Sequence, residues 1–487
     1  MLGRKDEQAD FLDEYVYGRL IPADHILVKM KESLDFSFIG EETKDLYSAD
    51  WGRPAYPAET LFQMLFLEFY YNLSDVEVCR QCQYNVLYRW FVGLGIDENV
   101  PDDTCLVVFR RRLGEARFAR LFDRVVEMAK KAGLLRERYK IVDATAVVAD
   151  VAIPNTVNLL RQGRRVILRE IARQDERAAV GLGEYRSREK LAEKPTKEDL
   201  VEEVDKSKAF IEAVKGKYGD DVGAMVEALD AIVHPEKGRA KVVSFVDFQA
   251  RHGMKSRKEM FSGYKAHIVE DENEIVTSCD VLSGNRNEGS HLGHLLLLER
   301  AKGIRAEAVL ADSLYDSGQN RQLIHEEGMK AYIPFRRERK WMERFRYSPD
   351  EDCVTCVMGK KSIGKSRQQR GNLHNFSVRD CRDCSQVGKC VRQDQPRMKI
   401  WVSDSYRYKI ADDGQGRHEA LGIRRMIERK FGEAKKWHGM ARARYRGMAR
   451  VKIQVLMTFL VMNVKRIARL LERNAPHPRR QFSCVPT

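Results

Sequence analysis

One run of the sequence combines a continuous apolar segment with a single acidic residue. Residues 139–148 read YKIVDATAVV, in which β-branched and small residues surround Asp143. A short apolar run of this kind is typical of a buried strand, and burying an unpaired charge is costly unless the side chain faces a site. The run therefore predicts a sheet strand and makes Asp143 a candidate functional residue.

A second acid follows another short apolar run. Residues 306–311 lead to Asp312, and turn residues come after it. An aspartate at the end of a strand is most often a turn or cap residue, so Asp312 alone indicates no chemistry. Carboxylates at the ends of neighbouring strands can instead hold two divalent ions about 3.5–4 Å apart, one for the attacking oxygen and one for the leaving oxygen.

A charged segment near the C-terminus supplies a third acid between two bases. Read as a helix, residues 424–435 place Arg424, Glu428 and Lys435 at i, i+4 and i+11, close to one face. Charge runs are usually solvated helix faces, and that interpretation stays open for the segment alone. An acid held among cations also suits metal-dependent phosphoryl transfer on a nucleic-acid backbone.

In the order Asp143, Asp312 and Glu428, these acids resemble those of bacterial insertion-sequence transposases of the Asp-Asp-Glu (DDE) type. The resemblance covers most of the chain outside roughly 158–240. The other segments that resemble the family are Leu73–Glu77, Phe91–Gly95, Pro101–Thr104, Phe109–Leu113, Gly263–His267, Ala311–Tyr315 and Arg446–Gly447.

The spacing of neighbouring bases selects the glutamate. The family signature runs Tyr, two residues, Arg, three residues, Glu, six residues and Lys. Arg424, Glu428 and Lys435 match it, whereas leucine stands at the tyrosine position, 421. Glu433 does not match, because with Arg429 it would require a base at position 440, where the sequence has methionine.

The resemblance implies an RNase H-like mixed sheet flanked by helices and a DNA transposase that cuts the ends of its own element and joins them to target DNA. It implies magnesium or manganese ions held by Asp143, Asp312 and Glu428, backbone phosphates bound by Arg424 and Lys435, and a homodimer on double-stranded DNA. Two alternatives stay open: a non-catalytic DNA-binding repressor, and a metal-dependent nuclease without strand transfer.

The N-terminal part predicts a helical DNA-binding module. The apolar segment 60–70 indicates a buried helix, and a later helix begins near Asp103 and carries Arg110, Arg111 and Arg112. Three short helices with arginines on the last one would have helix-turn-helix character. The alternative is a helical bundle whose arginines are only solvated.

Half of the ten cysteines lie close together late in the sequence. Two Cys-x2-Cys pairs separated by 24 residues are typical of a structural zinc site, and a reducing compartment disfavours disulfides. We expect the two pairs to bind one zinc ion, with Cys390 or His374 as a substitute ligand. Free thiols left by a degraded metal site are the alternative. The pairs are Cys353 with Cys356 and Cys381 with Cys384.

Net charge and apolar content restrict the class of protein. The net charge of +14 favours a polyanionic partner, and 43% hydrophobic residues are enough for folded cores. The longest apolar stretch near the C-terminus, 453–464, contains polar residues and is too short to span a membrane. The N-terminus lacks the apolar core of a signal peptide, so we expect a cytoplasmic, nucleoid-associated protein without a membrane partner.

A chain of 487 residues is too long for one core. We therefore expect a multidomain α+β or α/β fold. Besides the run containing Asp143, the patterns predict strands at 261–269, 274–282 and 330–334 and a last amphipathic helix at about 448–472. The expected divisions are an N-terminal helical DNA-binding domain at 1–135, an RNase H-like core at 136–157 and 241–335, a helical insertion at 158–240, a cysteine-rich, zinc-ribbon-like insertion at 336–400, the glutamate helix with the C-terminal helix at 401–475, and a tail at 476–487.

Overall fold

The computed structural model of the chain describes residues 11–48, 51–52, 54–187, 194–235, 242–255, 259–334, 344–391, 395–410 and 417–474. The expected tail at 476–487 lies outside the described residues. The helices are α1 (Phe11–Leu20), α2 (Ile26–Ser33), α3 (Phe38–Thr43), α4 (Ala58–Tyr71), α5 (Asp75–Tyr84), α6 (Val86–Phe91), α7 (Asp103–Lys131), α8 (Thr156–Gln174), α9 (Glu176–Gly181), α10 (Lys197–Val214), α11 (Asp220–Val233), α12 (Leu292–Ala301), α13 (Gly318–Glu326), α14 (Val378–Arg382), α15 (Val387–Cys390), α16 (Arg407–Ile410), α17 (Arg417–Arg424), α18 (Met426–Trp437) and α19 (Met448–Asn474). The strands are β1 (Tyr139–Val148), β2 (Val242–Ser244), β3 (Asp247–Met254), β4 (Met260–Glu270), β5 (Val276–Ser283), β6 (Ala308–Leu310), β7 (Lys330–Tyr332), β8 (Phe345–Ser348), β9 (Cys353–Cys356), β10 (Gly364–Gln368), β11 (Gly371–Asn375) and β12 (Lys399–Ser403).

A mixed sheet forms the centre of the protein. Its strand order is β2-β3-β4-β1-β6-β7, and β5 also pairs with β4. β4 runs antiparallel to both β1 and β5, whereas β6 runs parallel to both β1 and β7. The predicted strands at 139–148, 261–269 and 274–282 are confirmed, and the last two form an antiparallel pair. The coarse prediction of a mixed sheet flanked by helices is also confirmed.

Helices cover both faces of this sheet. Successive side chains of a strand point to opposite faces, and β1 shows this directly. Ile141 packs in one apolar cluster with residues of α7, α18 and α19, including Phe459. Val142 packs in another cluster with Leu292 of α12 and Ile324 of α13. A sheet covered on both faces is rigid, so side chains at its strand ends are held in fixed positions.

The last helix, α19, packs on the sheet as its amphipathic pattern predicted. Its buried amide, Asn463, lies against β5 and contacts both backbone groups of Val276. The side-chain oxygen accepts from the Val276 N–H at 2.9 Å, and the side-chain nitrogen donates to the Val276 carbonyl at 2.7 Å. A buried backbone group without a partner is costly, so this amide satisfies the β5 backbone and fixes α19 on the sheet.

Two further parts of the chain have cores of their own. Helices α8 to α11 pack around Leu160, Phe210 and Leu229 between β1 and β2 in chain order, and a buried ion pair joins Arg164 to Glu203. Strands β8 and β9 form a hairpin, and β10, β11 and β12 form a three-stranded sheet beside it.

No helix of the described residues has both the length and the apolar character needed to cross a bilayer.

The N-terminal helices pack around α4, which is buried on nearly all sides as its sequence predicted. Helix α7 is interrupted at Gly114, whose φ of 62° and ψ of 174° are not helical. A positive φ is the conformation that glycine adopts most readily. The break divides α7 into a first half within the N-terminal module and a second half that continues to Lys131 beside the central sheet.

Candidate active site

Two parallel strands bring the first two candidate acids to the same edge of the sheet. In the pairing of β1 with β6, Ile141 lies opposite Leu310 as the last matched pair. Asp143 and Asp312 each come two residues after that pair. Their carboxylates are close enough that the charge of Asp312 contributes to the raised pKa of Asp143.

Asp143 lies in a largely buried position. One carboxylate oxygen accepts from the Ala144 N–H at 2.8 Å, and the other lies 3.3 Å from Nη1 of Arg424. The pKa of Asp143 is raised to about 7. Burial is the main cause, and the carboxylates of Asp312 and Glu288 add to it, whereas the Ala144 amide and Arg424 act to lower the pKa. The group is therefore poised to change its protonation state when a cation approaches.

Asp312 caps the turn that follows β6 with one of its two carboxylate oxygens. Its Oδ1 accepts from the Leu314 N–H at 2.8 Å, which caps the short turn Ser313–Tyr315. Within the described part of the chain, its second oxygen has no hydrogen-bond donor. The side chain is only half-buried, so a ligand can reach it.

Glu428 is joined to Asp143 through one guanidinium group. Nη2 of Arg424 lies 3.6 Å from Oε1 of Glu428, while Nη1 of the same arginine contacts Asp143. The glutamate side chain is 63% exposed. The continuous helix expected over 424–435 is wrong at its start, because α17 ends at Arg424 and α18 begins at Met426. The backbone of Arg425 stays in the right-handed helical region, so the i, i+4 contact survives.

The neighbouring glutamate, Glu433, points to a different part of the molecule. Its carboxylate lies 2.7 Å from Nζ of Lys465 on α19 and 3.8 Å from Nε2 of His438. The neighbouring side chains of His438 and Lys465 lower the pKa of Glu433 to about 2. Glu433 therefore stabilises the packing of α18 on α19, and Glu428 is the acid of this helix that meets Asp143.

Lys435 lies on α18 beside the end of the β3–β4 hairpin. Its side chain is half-buried, and burial lowers its pKa. The ammonium group of Lys255 lowers that pKa further, whereas the carboxylate of Glu259 raises it. The structure thus places Lys435 in a basic region shared with the hairpin.

A second ion pair lies close to the two aspartates and was missed by the sequence analysis. Oε1 of Glu288 is 2.7 Å from Nζ of Lys265, and both side chains are mostly buried. Burial raises the pKa of Tyr315, and the carboxylates of Asp143, Glu288 and Asp312 raise it further. Glu288 follows β5 in a loop, so no strand or helix pattern marked it.

Another polar cluster contains Asp280, His291 and His294, whose ligand atoms lie within 4.8 Å of one another. Oδ2 of Asp280 is 2.7 Å from Nε2 of His291 and 3.4 Å from Nε2 of His294. The other oxygen of Asp280 lies 2.9 Å from Nζ of Lys452. Because the ammonium group already neutralises this carboxylate, the cluster is a weak candidate for a metal ion.

The three consecutive arginines of α7 differ in their surroundings. Arg110 is buried, and its guanidinium contacts the carboxylates of Asp75 and Glu68. Arg111 and Arg112 are exposed. The structure therefore corrects the assignment of Arg110 to DNA contact, since its charge is neutralised inside the module and its side chain does not reach the surface.

The cysteines are separated into two environments. The sulfur of Cys353 lies 3.2 Å from the carboxylate of Glu351. His374 is buried on β11, with Nε2 3.7 Å from Asp352. The other four cysteines of the segment line a single cavity of about 430 Å³: Cys356, Cys381, Cys384 and Cys390.

Two comparisons with protein families place these regions in context. Residues 15–112 match the family described as a transposase domain (DUF772), which covers the N-terminal helices as far as Arg112. Residues 353–468 match the family described as a transposase DDE domain, which covers the cysteine segment, Glu428 and most of α19. Asp143 and Asp312 lie between the two matches. Both matches support the resemblance to insertion-sequence transposases of the DDE type, and the second implies divalent-metal dependence.

Proposed function

We propose that this chain is an insertion-sequence transposase of the DDE type that binds the ends of its element and catalyses metal-dependent strand cleavage and strand transfer. The matches to a transposase domain and to a transposase DDE domain support this proposal. One observation carries the proposal. Asp143 lies within β1 and Asp312 follows the neighbouring parallel strand β6, each two residues beyond their last matched pair, and Arg424 links Glu428 to Asp143. Arg424 therefore joins two carboxylates from distant parts of the sequence, and the third, Asp312, lies close to Asp143.

The topology of the sheet supports an RNase H-like catalytic core. Along the sheet, β5, β4 and β1 are antiparallel neighbours, and β6 and β7 continue it in parallel with β1. This is the order that the resemblance implies, with helices between the parallel strands. Strands β2 and β3 extend the antiparallel side and connect it to the inserted helices.

The donor atoms at this edge fit a hard divalent cation. Carboxylate oxygens are the ligands that magnesium and manganese prefer, and Asp312 has an oxygen without a donor in the described chain. We assign Asp143, Asp312 and Glu428 as the residues that would hold two such ions. When bound, the ions would activate the attacking oxygen and stabilise the leaving oxygen.

The chain itself supplies positioning and charge in this proposal. Arg424 now neutralises Asp143 and Glu428, and binding of cations would leave its guanidinium able to bind a backbone phosphate. Lys435, one turn beyond the middle of α18, would bind the same backbone beside the β3–β4 hairpin. Holding the scissile phosphate in line with the attacking oxygen accounts for most of the rate gain expected in phosphoryl transfer.

The N-terminal module would supply separate contacts to double-stranded DNA. Arg111 and Arg112 are exposed on α7, and Arg112 lies over the ring of Tyr47 at 5.2 Å. The net charge of +14 favours association with DNA at low salt. A homodimer would allow two element ends to be held together, one by each copy.

Asp312→Asn tests the assignment because it removes one ligand charge with little change in volume. With magnesium and a labelled fragment that carries the inverted repeats flanking the gene, we expect the variant to lose cleavage. Binding of the same fragment in a gel shift at fixed salt should be nearly unchanged, because the arginines that contact DNA lie elsewhere. Glu428→Gln should behave in the same way.

Glu433→Gln is the matched control, because it changes a glutamate of the same helix that does not face Asp143. This variant should still cleave. Substantial cleavage by Asp312→Asn would remove that residue from the mechanism. Wild-type protein that binds the fragment and never cuts with any divalent metal would favour the repressor, and cutting without joined products would favour the simple nuclease.

A further inference from the structure

The cysteine segment offers a metal site that differs from the one its spacing suggested. Cys353 and Cys356 begin and end the strand β9, which pairs with β8 so that Cys356 lies opposite Phe345 and Cys353 opposite Ser348. Residues three apart on a strand point to opposite faces. The two cysteines of this pair therefore cannot both ligate one ion while β9 is intact.

The contacts of the two thiols agree with this separation. The carboxylate of Glu351, 3.2 Å from the Cys353 sulfur, is itself bound by Nζ of Lys361 at 2.7 Å. Cys356 lies on the side of Phe345, and both line the 430 Å³ cavity. The chain turns immediately after Cys356, where Gly359 donates to the Cys356 carbonyl at 2.9 Å and has a φ of 75°.

Three more thiols reach the same cavity from the helical side. Cys381 lies in α14, Cys384 follows that helix, and Cys390 is the last residue of α15. The backbone N–H of Gln386 donates to the sulfur of Cys384 at 3.4 Å. A backbone donor of this kind orients a ligand atom and stabilises negative charge on it.

We propose that Cys356, Cys381, Cys384 and Cys390 form a four-thiolate zinc site and that Cys353 stays outside it. Soft thiolate ligands in a tetrahedral set select zinc, with Zn–S distances of about 2.3 Å. In the described part of the chain, no three of these four sulfurs lie within 4.8 Å of one another. Binding would therefore draw the β9 turn and the two short helices towards a common point.

Charge around the cavity suits such a site. Each thiol would release its proton to solvent on binding, so the zinc with four thiolates carries two net negative charges. Lys360 lines the cavity, and Arg344 lies beside Cys390, with its guanidinium donating to the side-chain oxygen of Gln386 at 2.8 Å. These cations would offset the charge of the filled site.

Zinc bound at this site would join the β8–β9 hairpin to the helices α14 and α15. The hairpin β8–β9 and the helices α14 and α15 share a small core around Phe345, Val354 and Phe376. A core of this size gives little stability by itself, and small domains commonly rely on a metal or on disulfides. The zinc would therefore hold the segment that precedes the Glu428 helix, and it would take no part in the chemistry of the three acids.

The test compares Cys390→Ser with Cys353→Ser, which change the same residue type in the same segment. Full-length protein purified with zinc present should contain one zinc ion per chain, measured by mass spectrometry of the metal. Cys353→Ser should keep that content. Cys390→Ser removes a proposed ligand, so it should lose stoichiometric zinc and bind the ion more weakly in competition with a chromophoric chelator.

Cobalt gives a readout that depends on the number of thiolates. Metal-free wild type and Cys353→Ser should show the same sulfur-to-cobalt absorption when titrated with Co²⁺, and Cys390→Ser should show a weaker band. Circular dichroism would verify that both variants fold. Loss of zinc from Cys353→Ser with retention by Cys390→Ser, or wild type that binds neither metal stoichiometrically, would overturn the site. Neither result would affect the assignment of the carboxylates.

Discussion

The N-terminal module and the edge of the central sheet both bring arginines to carboxylates, but their surroundings differ. In the module, Arg110 contacts Glu68 and Asp75, and Arg444 also lies 3.1 Å from Glu68. The Glu68 side chain is only 3% exposed, and that of Arg110 only 10%. At the sheet edge, the corresponding acid on the helix, Glu428, is 63% exposed.

The balance of charge separates the two regions further. In the module, two guanidinium groups face two carboxylates, so the cluster is close to neutral. At the sheet edge, the guanidinium group of Arg424 contacts the carboxylates of Asp143 and Glu428, and the carboxylate of Asp312 lies close to Asp143. Glu288 has its own partner in Lys265. An excess of negative charge at a reachable position attracts cations, whereas a neutral buried cluster only holds elements together. We therefore propose that burial and counter-charge distinguish a structural cluster from a chemical one made of the same residue types.

The largest loss of folding stability that this comparison predicts for a substitution is in the module. Arg110→Ala removes one partner from a buried ion cluster and leaves Glu68 and Asp75 without it. Arg444 still pairs with Glu68 in this variant, so we expect a loss of about 3 kcal/mol, the lower end of the usual cost of breaking a buried ion pair. Thermal unfolding of the full chain would measure it as a large drop in melting temperature of the transition that includes the N-terminal helices.

Arg111→Ala is the matched control for Arg110→Ala. It should change stability by no more than about 0.5 kcal/mol, as is usual for exposed positions. It should instead weaken binding to double-stranded DNA. The slope of the logarithm of the binding constant against the logarithm of the salt concentration should become about 1 unit less steep, as expected for the loss of one phosphate contact. Equal stability of the two variants would contradict the distinction between a buried and an exposed arginine.

The next effect concerns Asp143 and depends on pH. Its pKa is raised to about 7 by burial, so between about pH 4 and 7 the native carboxyl keeps a proton that the unfolded chain has lost. Stability without metal should therefore fall as pH rises through that window, by up to about 4 kcal/mol. Asp143→Asn cannot ionise, so it should lack this decrease and be more stable than wild type above about pH 7.

Melting temperatures measured with EDTA from about pH 5 to 8 would test this prediction. Asp150→Asn is a suitable control, because Asp150 follows the same strand and its side chain is 59% exposed. The control should keep the pH dependence of wild type. If Asp143→Asn keeps the same pH dependence of the melting temperature, the carboxyl group of Asp143 is not its source. Burial would then raise the pKa of Asp143 less than we expect.

Local patterns predicted the parts of the fold that depend on neighbouring residues. The apolar run around Asp143 became β1 with the expected bounds, and the pattern at 448–472 became α19, because a strand or helix that buries one face must show it in sequence. Strands β2 and β3 and the small sheet β10-β11-β12 were not anticipated. The short strand β10 is exposed throughout and has no apolar alternation to reveal it.

The candidate site was predictable only in part, for a related reason. The order and spacing of the three acids indicated their identity, but contacts between distant segments did not appear in any local pattern. Arg110 and Arg111 look alike in sequence, and only the position of Asp75 and Glu68 makes one structural. The pairing of Glu288 with Lys265 likewise depends on where a loop after β5 meets β4.

The smallest predicted effect compares two glutamates on α18. Glu433 lies beside Lys465 and His438, and the neighbouring His438 side chain, together with Lys465, lowers its pKa to about 2. Its contribution to stability should be fully present above the ordinary glutamate pKa, about 4.3, and should decrease as pH falls towards 2. Because the side chain is 31% exposed, solvent screens the interaction, and we expect Glu433→Gln to lose only about 1 kcal/mol near neutral pH.

Glu428→Gln should cost no more than about 0.5 kcal/mol, because its one contact with Arg424 is largely exposed. Melting temperatures of both variants near pH 7 and again near pH 3.5 would measure the difference. It should narrow at the lower pH because Glu433 takes up a proton in the unfolded chain there, whereas in the native protein its pKa is about 2. A larger loss for Glu428→Gln than for Glu433→Gln would mean that the helix depends on Glu428 for packing. The exposed glutamate would then belong with the structural clusters of the N-terminal module, and the contrast between the two regions would not hold.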